Sequence, residues 1–177
     1  MIDPAAFKNV AAPGRECGAC TLCCKVFEVP VIDKPEGKWC RHCSPGRGCA
    51  IHATRPEHCR AFFCYWMTQP GLGPEWKPDR AKFVLTVDPA SQYLFVQLDP
   101  GQPAAWRREP YLRQIRDWAK SALAERRHVV VFLNRSATVV LPERDVPLGP
   151  IGPGDRIVSR RTPDGGIEVE LRRADAA

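Results

Sequence analysis

Apolar and polar residues alternate with recognisable periods in the second half of this chain, and with none in its first third. Between about residues 109 and 127, Leu112, Ile115, Trp118, Ala119, Ala122 and Leu123 recur at intervals of three and four, which predicts an amphipathic helix. Short runs rich in β-branched and aromatic residues flank it. Phe83 to Val87 and Tyr93 to Leu98 predict two strands joined by a turn around Asp88-Pro89. Val129 to Leu133, Thr138 to Leu141, Arg156 to Ser159 and Ile167 to Leu171 predict four more, the last two bracketing the hairpin signal Asp164-Gly165-Gly166.

The expected class is α+β, in which a small loop-rich cysteine module stabilised by metal precedes a small antiparallel sheet or partial barrel with one amphipathic helix packed on it. Residues 1–16 read as a flexible lead-in and 17–68 as the cysteine module. One helix is expected at the end of that module: Thr54 can cap it, Pro56 and Glu57 suit its first turn, and Cys59 to Trp66 would follow, carrying its last two cysteines. Residues 69–80, which open Gln69-Pro70-Gly71-Leu72-Gly73-Pro74, read as a linker, and 81–177 as an α+β unit to which the sequence assigns no role.

Composition changes this picture at one point. All nine cysteines of the 177-residue chain fall between Cys17 and Cys64. Such density means either a disulfide framework or a metal site. Nine is odd, so they cannot all pair within one chain. The start MIDPAAFKNVAAPGREC offers no basic segment followed by an apolar core, so the expected compartment is the cytoplasm, where thiols stay reduced. Metal is therefore favoured. The longest apolar run, Ala61 to Met67, is far short of the roughly 20 residues that cross a bilayer, and no membrane association is expected.

The formal charge of +6, from 26 basic and 20 acidic residues, treats every cysteine as a neutral thiol. Nine thiolates around three divalent ions would bring the total to about +3. Basic residues are also interspersed with acids rather than gathered in a stripe, so nucleic acid is not an expected partner. Metal ions are, with a protein partner reached through the C-terminal unit as a further expectation.

The spacing of the cysteines carries the chemistry. Cys17, Cys20, Cys23 and Cys24 place four sulfurs within eight residues, and a gap of two lets thiolates of one tight turn reach a common ion. Cys40 and Cys43 repeat that gap, and Cys49, Cys59 and Cys64 follow. Three cysteines at successive gaps of two are also what a 4Fe-4S cluster takes from a loop, so spacing supports iron–sulfur and zinc alike. Eight thiolates could fill two tetrahedral zinc sites, nine a three-zinc cluster, and four a 4Fe-4S cluster with five left over. Neighbouring side chains such as Cys23 and Cys24 tend to diverge, which favours more than one metal ion. The Cys17, Cys20, Cys23 run tilts the choice slightly toward iron–sulfur.

Cys17-Gly18-Ala19-Cys20-Thr21-Leu22-Cys23-Cys24, Gly48-Cys49-Ala50-Ile51-His52 and Arg55-Pro56-Glu57-His58-Cys59-Arg60-Ala61-Phe62-Phe63-Cys64 resemble the CxxCxxCC family of zinc- or iron-chelating proteins, also called YkgJ-like cysteine-cluster proteins, over about residues 17–66. The family pattern has eight cysteines, and it maps onto Cys17, Cys20, Cys23, Cys24, Cys40, Cys49, Cys59 and Cys64. Cys43 is additional, and His52 stands where an aromatic residue is usual. The resemblance implies metal or iron–sulfur binding and says nothing of residues 81–177.

Other residues near the cysteines admit two readings each. His42, His52 and His58 could complete a site, although a histidine in a polar loop is more often solvated, and His128, opening a strand, reads as structural. Arg55 and Arg60 could donate to cluster sulfurs or simply pair with a surface acid such as Glu57. Phe62, Phe63, Tyr65 and Trp66 could shield a cluster or dock the module onto the C-terminal unit. No Gly-rich phosphate loop, nucleophile elbow or histidine-rich hydrolase motif is present. Metal chelation, delivery or sensing ranks first, an iron–sulfur electron carrier or redox enzyme second, and a zinc-stabilised interaction domain last.

Overall fold

The computed structural model describes residues 10–174. Its centre is an open five-stranded sheet made of β3 (Phe83–Val87), β4 (Leu94–Leu98), β5 (Val129–Leu133), β6 (Ser136–Val140) and β7 (Asp145–Pro150), in that spatial order. The α+β class holds, and among the described residues the strands form no closed barrel. All neighbours are antiparallel except β4 and β5, which run parallel with Leu94 opposite Val129. The sheet is thus mainly antiparallel, with one parallel pair at its centre. Between those strands the chain forms α5 (Tyr111–Ala124), whose length returns it to the end from which β4 began.

Alternation along the strands builds two apolar faces. One, with Phe83, Leu85, Val96, Val129 and Val131, receives Ile115, Trp118 and Ala119 of α5, the side chains that the three-four spacing predicts. The other, with Val130, Ala137 and Val139, is covered by Ile157, Ile167 and Val169 of a separate hairpin, β8 (Arg156–Arg161) and β9 (Ile167–Arg172). His128 supports that second contact. It is buried, its Nε2 lies 3.1 Å from Ser159 Oγ, and its ring meets Tyr93 edge-on with centroids 5.1 Å apart.

The first apolar face extends into the cysteine region. Leu22 and Val26, four apart on and beside the short helix α1 (Cys23–Val26), turn inward to the core that also takes Tyr65, Trp66 and Met67 of α3 (Tyr65–Thr68). The stretch read as a linker supplies Leu72 and Trp76 to the same core. Trp76 stacks against Phe83, Tyr111 and Trp118 with centroids 6.0, 5.0 and 4.7 Å apart. The backbone leading into it is also held, since Trp66 Nε1 donates to Gly73 O at 3.1 Å and Tyr111 Oη to Glu75 O at 2.9 Å. The short helix α4 (Pro78–Ala81) follows directly.

Residues 1–9 of the expected flexible lead-in lie outside the described residues. From Val10 onward the lead-in is anchored: Ala12 N donates to Met67 O at 2.8 Å, and Arg15 donates to the Pro70 carbonyl at 3.1 Å while its guanidinium lies 4.1 Å from the Trp66 ring centroid. No helix among the described residues is long and apolar enough to cross a membrane.

Candidate metal centre

Three loops carry the nine sulfurs, and backbone bonds join the first two. In the first, Gly18 adopts a positive φ of 53°, which closes a tight turn with Cys20 N donating to Cys17 O at 2.9 Å. Cys23 and Cys24 then open α1, both half-buried beside the buried Leu22 and Val26. In the second, Cys43 N donates to Cys40 O at 3.0 Å, repeating the bond across the gap of two without a positive φ. The two-residue strands β1 (Cys43–Ser44) and β2 (Gly48–Cys49) set Cys43 directly opposite Cys49. Two bonds tie the first loop to the second: Cys40 N to Cys24 O at 3.0 Å, and Gly46 N to Thr21 Oγ1 at 3.0 Å.

The third loop departs from expectation. Instead of one helix across residues 54–66, a 3-10 turn (His52–Thr54) leads to α2 (Glu57–Arg60), and the chain then extends before α3. Cys59 lies in α2, whereas Cys64 is the residue before α3, extended at φ −68°, ψ 157°. The break has a packing cause. Tyr65, Trp66, Met67 and Thr68 are all buried, so the chain turns at Cys64 to feed four consecutive side chains into the core.

All nine cysteines are free thiols, with Cys64 buried, Cys17 exposed and the other seven half-buried. Their mutual influence runs within and across the loops, with Cys17 acted on by Cys24. Cys64 is acted on by Cys17 and Cys20. Cys59 is acted on by Cys24, Cys40 and Cys49, and Cys24 shares hydrogen bonds with Cys23 and Cys43. Burial pushes the Cys64 thiol up to about 12 and, with Cys24 close by, the Cys43 thiol to about 11. The hydrogen bond with Cys23, then burial, raises Cys24 further. Burial also raises Cys17, Cys20 and Cys59, with Arg55 opposing at Cys17 and Cys59. These shifts favour neutral thiols in the metal-free chain, a preference that a divalent cation reverses.

Among the described residues, no group of three or more His, Cys, Asp and Glu side chains stands in an arrangement that could hold a metal ion. The sulfurs are close enough to act on one another without meeting at a common point. The donor set nevertheless suits a thiolate-seeking metal in kind, because every sulfur is unpaired and none is consumed in a disulfide. One further fact sets this region apart: no residue from Pro35 to Phe63 is buried, and its longest regular element is the four-residue α2.

The basic and aromatic residues singled out in the sequence take definite places. Arg55 Nη1 donates to His52 O at 2.6 Å and lies 3.3 Å from His52 Nδ1. Arg60 pairs with Glu57 at 3.2 Å and donates to Arg55 O at 3.2 Å, both of them surface groups. His52 and His58 are exposed, and His42 accepts from Arg41 Nε at 3.3 Å. Tyr65 and Trp66 join the core shared with the sheet, which is the docking role, whereas Phe62 packs within the module on Phe27 with centroids 5.0 Å apart.

Three residues that sequence reasoning missed complete the surroundings. Thr21 bridges the first two loops as described. Asp99, at the end of β4, binds Lys25 of α1 at 2.5 Å, both side chains largely buried, and so ties the helix bearing Cys23 and Cys24 to the sheet. Lys34 is 4% exposed and donates from Nζ to the carbonyls of Lys25 (2.7 Å) and Phe27. Only its position ten residues beyond Cys24 hinted at it. No protein-family model, curated protein or solved structure matches the chain.

Proposed function

We propose that this chain is a cytosolic metal-binding protein. Residues 17–64 hold more than one metal, as zinc or with an iron–sulfur cluster, through cysteine sulfur, and serve metal chelation, delivery or sensing. The observation that carries this reading is the segment from Pro35 to Phe63. It contains Cys40, Cys43, Cys49 and Cys59 yet buries no residue fully, and the side chains it packs on the core are Phe62 and Phe63 at its very end, so apolar burial does little to hold the stretch that carries those four cysteines. Metal–thiolate bonds do that work in domains with too little core, and their free energy is then folding free energy. The free state of all nine thiols and the hydrogen bonds that tie the first loop to the second support it, as does the resemblance to CxxCxxCC proteins.

The test is elemental analysis for iron and zinc, with acid-labile sulfide and an optical spectrum, on protein purified without oxygen. Iron and sulfide in equal amounts establish a cluster; zinc at two or three per chain without sulfide establishes a zinc centre. A chain that purifies with neither and takes up neither when supplied refutes the proposal.

A further inference from the structure

The hairpin that carries Cys43 and Cys49 is encoded by its own turn. Ser44-Pro45-Gly46-Arg47 joins its two short strands, with Arg47 N donating to Ser44 O at 2.8 Å and Gly46 at a positive φ of 72°. Proline followed by a left-handed glycine at the two central positions is what a type II turn takes. That turn sets the register: Ser44 faces Gly48, Cys43 faces Cys49, and one step further on Ala50 N donates to His42 O at 2.8 Å.

The last of these bonds decides what kind of pair the cysteines make. Opposed residues in an antiparallel ladder alternate between pairs that exchange hydrogen bonds and pairs that do not. His42 with Ala50 is of the first kind, so Cys43 with Cys49 is of the second. The Cα atoms of a non-hydrogen-bonded pair stand about 4.5 Å apart with both side chains on one face, inside the roughly 4.4–6.8 Å that a disulfide spans. The turns at Cys17–Cys20 and Cys40–Cys43 ensure only a separation below about 7 Å. Both Cys43 and Cys49 are free and half-buried, and the residues Ser44 to Arg47 beside them are all exposed, so a small oxidant can approach.

We propose that Cys43 and Cys49 are a redox modification site that closes reversibly into an intrachain disulfide, with a low-molecular-weight disulfide such as oxidised glutathione as the oxidant. One sulfur attacks the glutathione disulfide, forming a mixed disulfide and releasing one glutathione thiol. The other then attacks the protein sulfur of that mixed disulfide, forming the Cys43–Cys49 bond and releasing the second. The protein gives up two protons and two electrons, which leave on the two glutathione thiols, and excess reduced glutathione runs the steps backward. The bridge fastens a two-strand hairpin that packing leaves unsupported. The site does not rest on the metal-binding reading, because its register comes from the turn; on that reading, closure also withdraws two of the nine sulfurs from the metal.

The full chain, freed of metal with a chelator, is equilibrated in glutathione buffers of rising oxidised-to-reduced ratio, quenched in acid, alkylated and mapped by peptide mass spectrometry. Cleavage after Arg47 separates the two cysteines, so their linkage is read directly. In wild type the first linkage to appear should be Cys43–Cys49, with two of the nine thiols lost to alkylation and recovered in excess reduced glutathione. Cys49→Ser should leave Cys43 open to alkylation at the ratio that closes wild type. Gly46→Val alters no sulfur and meets no group within 4 Å, but strains the left-handed position of a marginal hairpin. It should need a ratio about 5–30-fold higher for the same closure. A first linkage between any other pair, including Cys24–Cys43, overturns the inference, as does closure of Gly46→Val at the wild-type ratio or a wild type that forms no linkage. A chain that takes up no metal yet closes this bridge refutes the metal-binding reading and leaves the redox site standing.

Discussion

Trp76→Ala should be among the most damaging single substitutions outside the cysteines, although the composition around it reads as a flexible connection. Trp76 is 5% exposed and meets three aromatic rings at 4.7 to 6.0 Å. An aromatic side chain buries about 150–250 Å2, which at about 25 cal/mol per Å2 corresponds to roughly 4–6 kcal/mol of transfer free energy. Alanine retains a small part of that, and the three rings can relax only partly into the space, so the expected loss is about 3–5 kcal/mol. Set against a total stability of about 5–15 kcal/mol, that loss leaves a marginal fold. Urea unfolding of the metal-free chain, followed by far-ultraviolet circular dichroism with wild type and variant at equal concentration, measures it. A change within about 0.5 kcal/mol, the range of ordinary surface substitutions, would refute the reasoning and restore residues 69–80 to the status of a linker.

Cys20→Ser in the first loop and Cys59→Ser in the third should each remove bound metal and lower the melting temperature; full metal content with an unchanged melting temperature in both would show that neither is a ligand. His128 is held below its ordinary pKa by burial, so the unfolded chain takes up a proton before the folded chain does. Its contribution is present above about pH 6.5 and is lost as pH falls below that value, with a slope of at most about 1.4 kcal/mol per pH unit. Urea midpoints of the metal-free chain between pH 7.5 and 5 should therefore fall more steeply for wild type than for His128→Gln, and identical slopes would remove His128 from the account.

The elements that sequence revealed are those whose signal is local. Leu112, Ile115, Trp118 and Ala119 mark α5 because a helix bonds only to itself, and Val129–Leu133 marks β5 because five consecutive apolar residues suit a strand covered on both faces. The parallel pairing of β4 with β5 was not legible, since it depends on where α5 returns the chain. Strand β7 was missed because Pro147, Gly149 and Pro150 argue against a strand; its place at the sheet edge is what tolerates them. Trp76 was hidden by the prolines and glycines around it. Within the site, the cysteine spacing and the turns at Cys17 and Cys40 were readable, but the break between Cys59 and Cys64 was not. The run Phe62 to Trp66 is equally apolar whether it continues a helix or turns into a core, and only the long-range packing of Tyr65–Thr68 decides.

Hydrogen exchange of residues 35–63, compared between metal-loaded and metal-free protein under reducing conditions, tests most directly whether metal replaces the missing core. Amides that hold the loops together, such as Cys40 N to Cys24 O and Cys43 N to Cys40 O, should be protected only with metal bound, while β3–β6 stay protected in both states. Equal protection of residues 35–63 with and without metal would contradict the central claim.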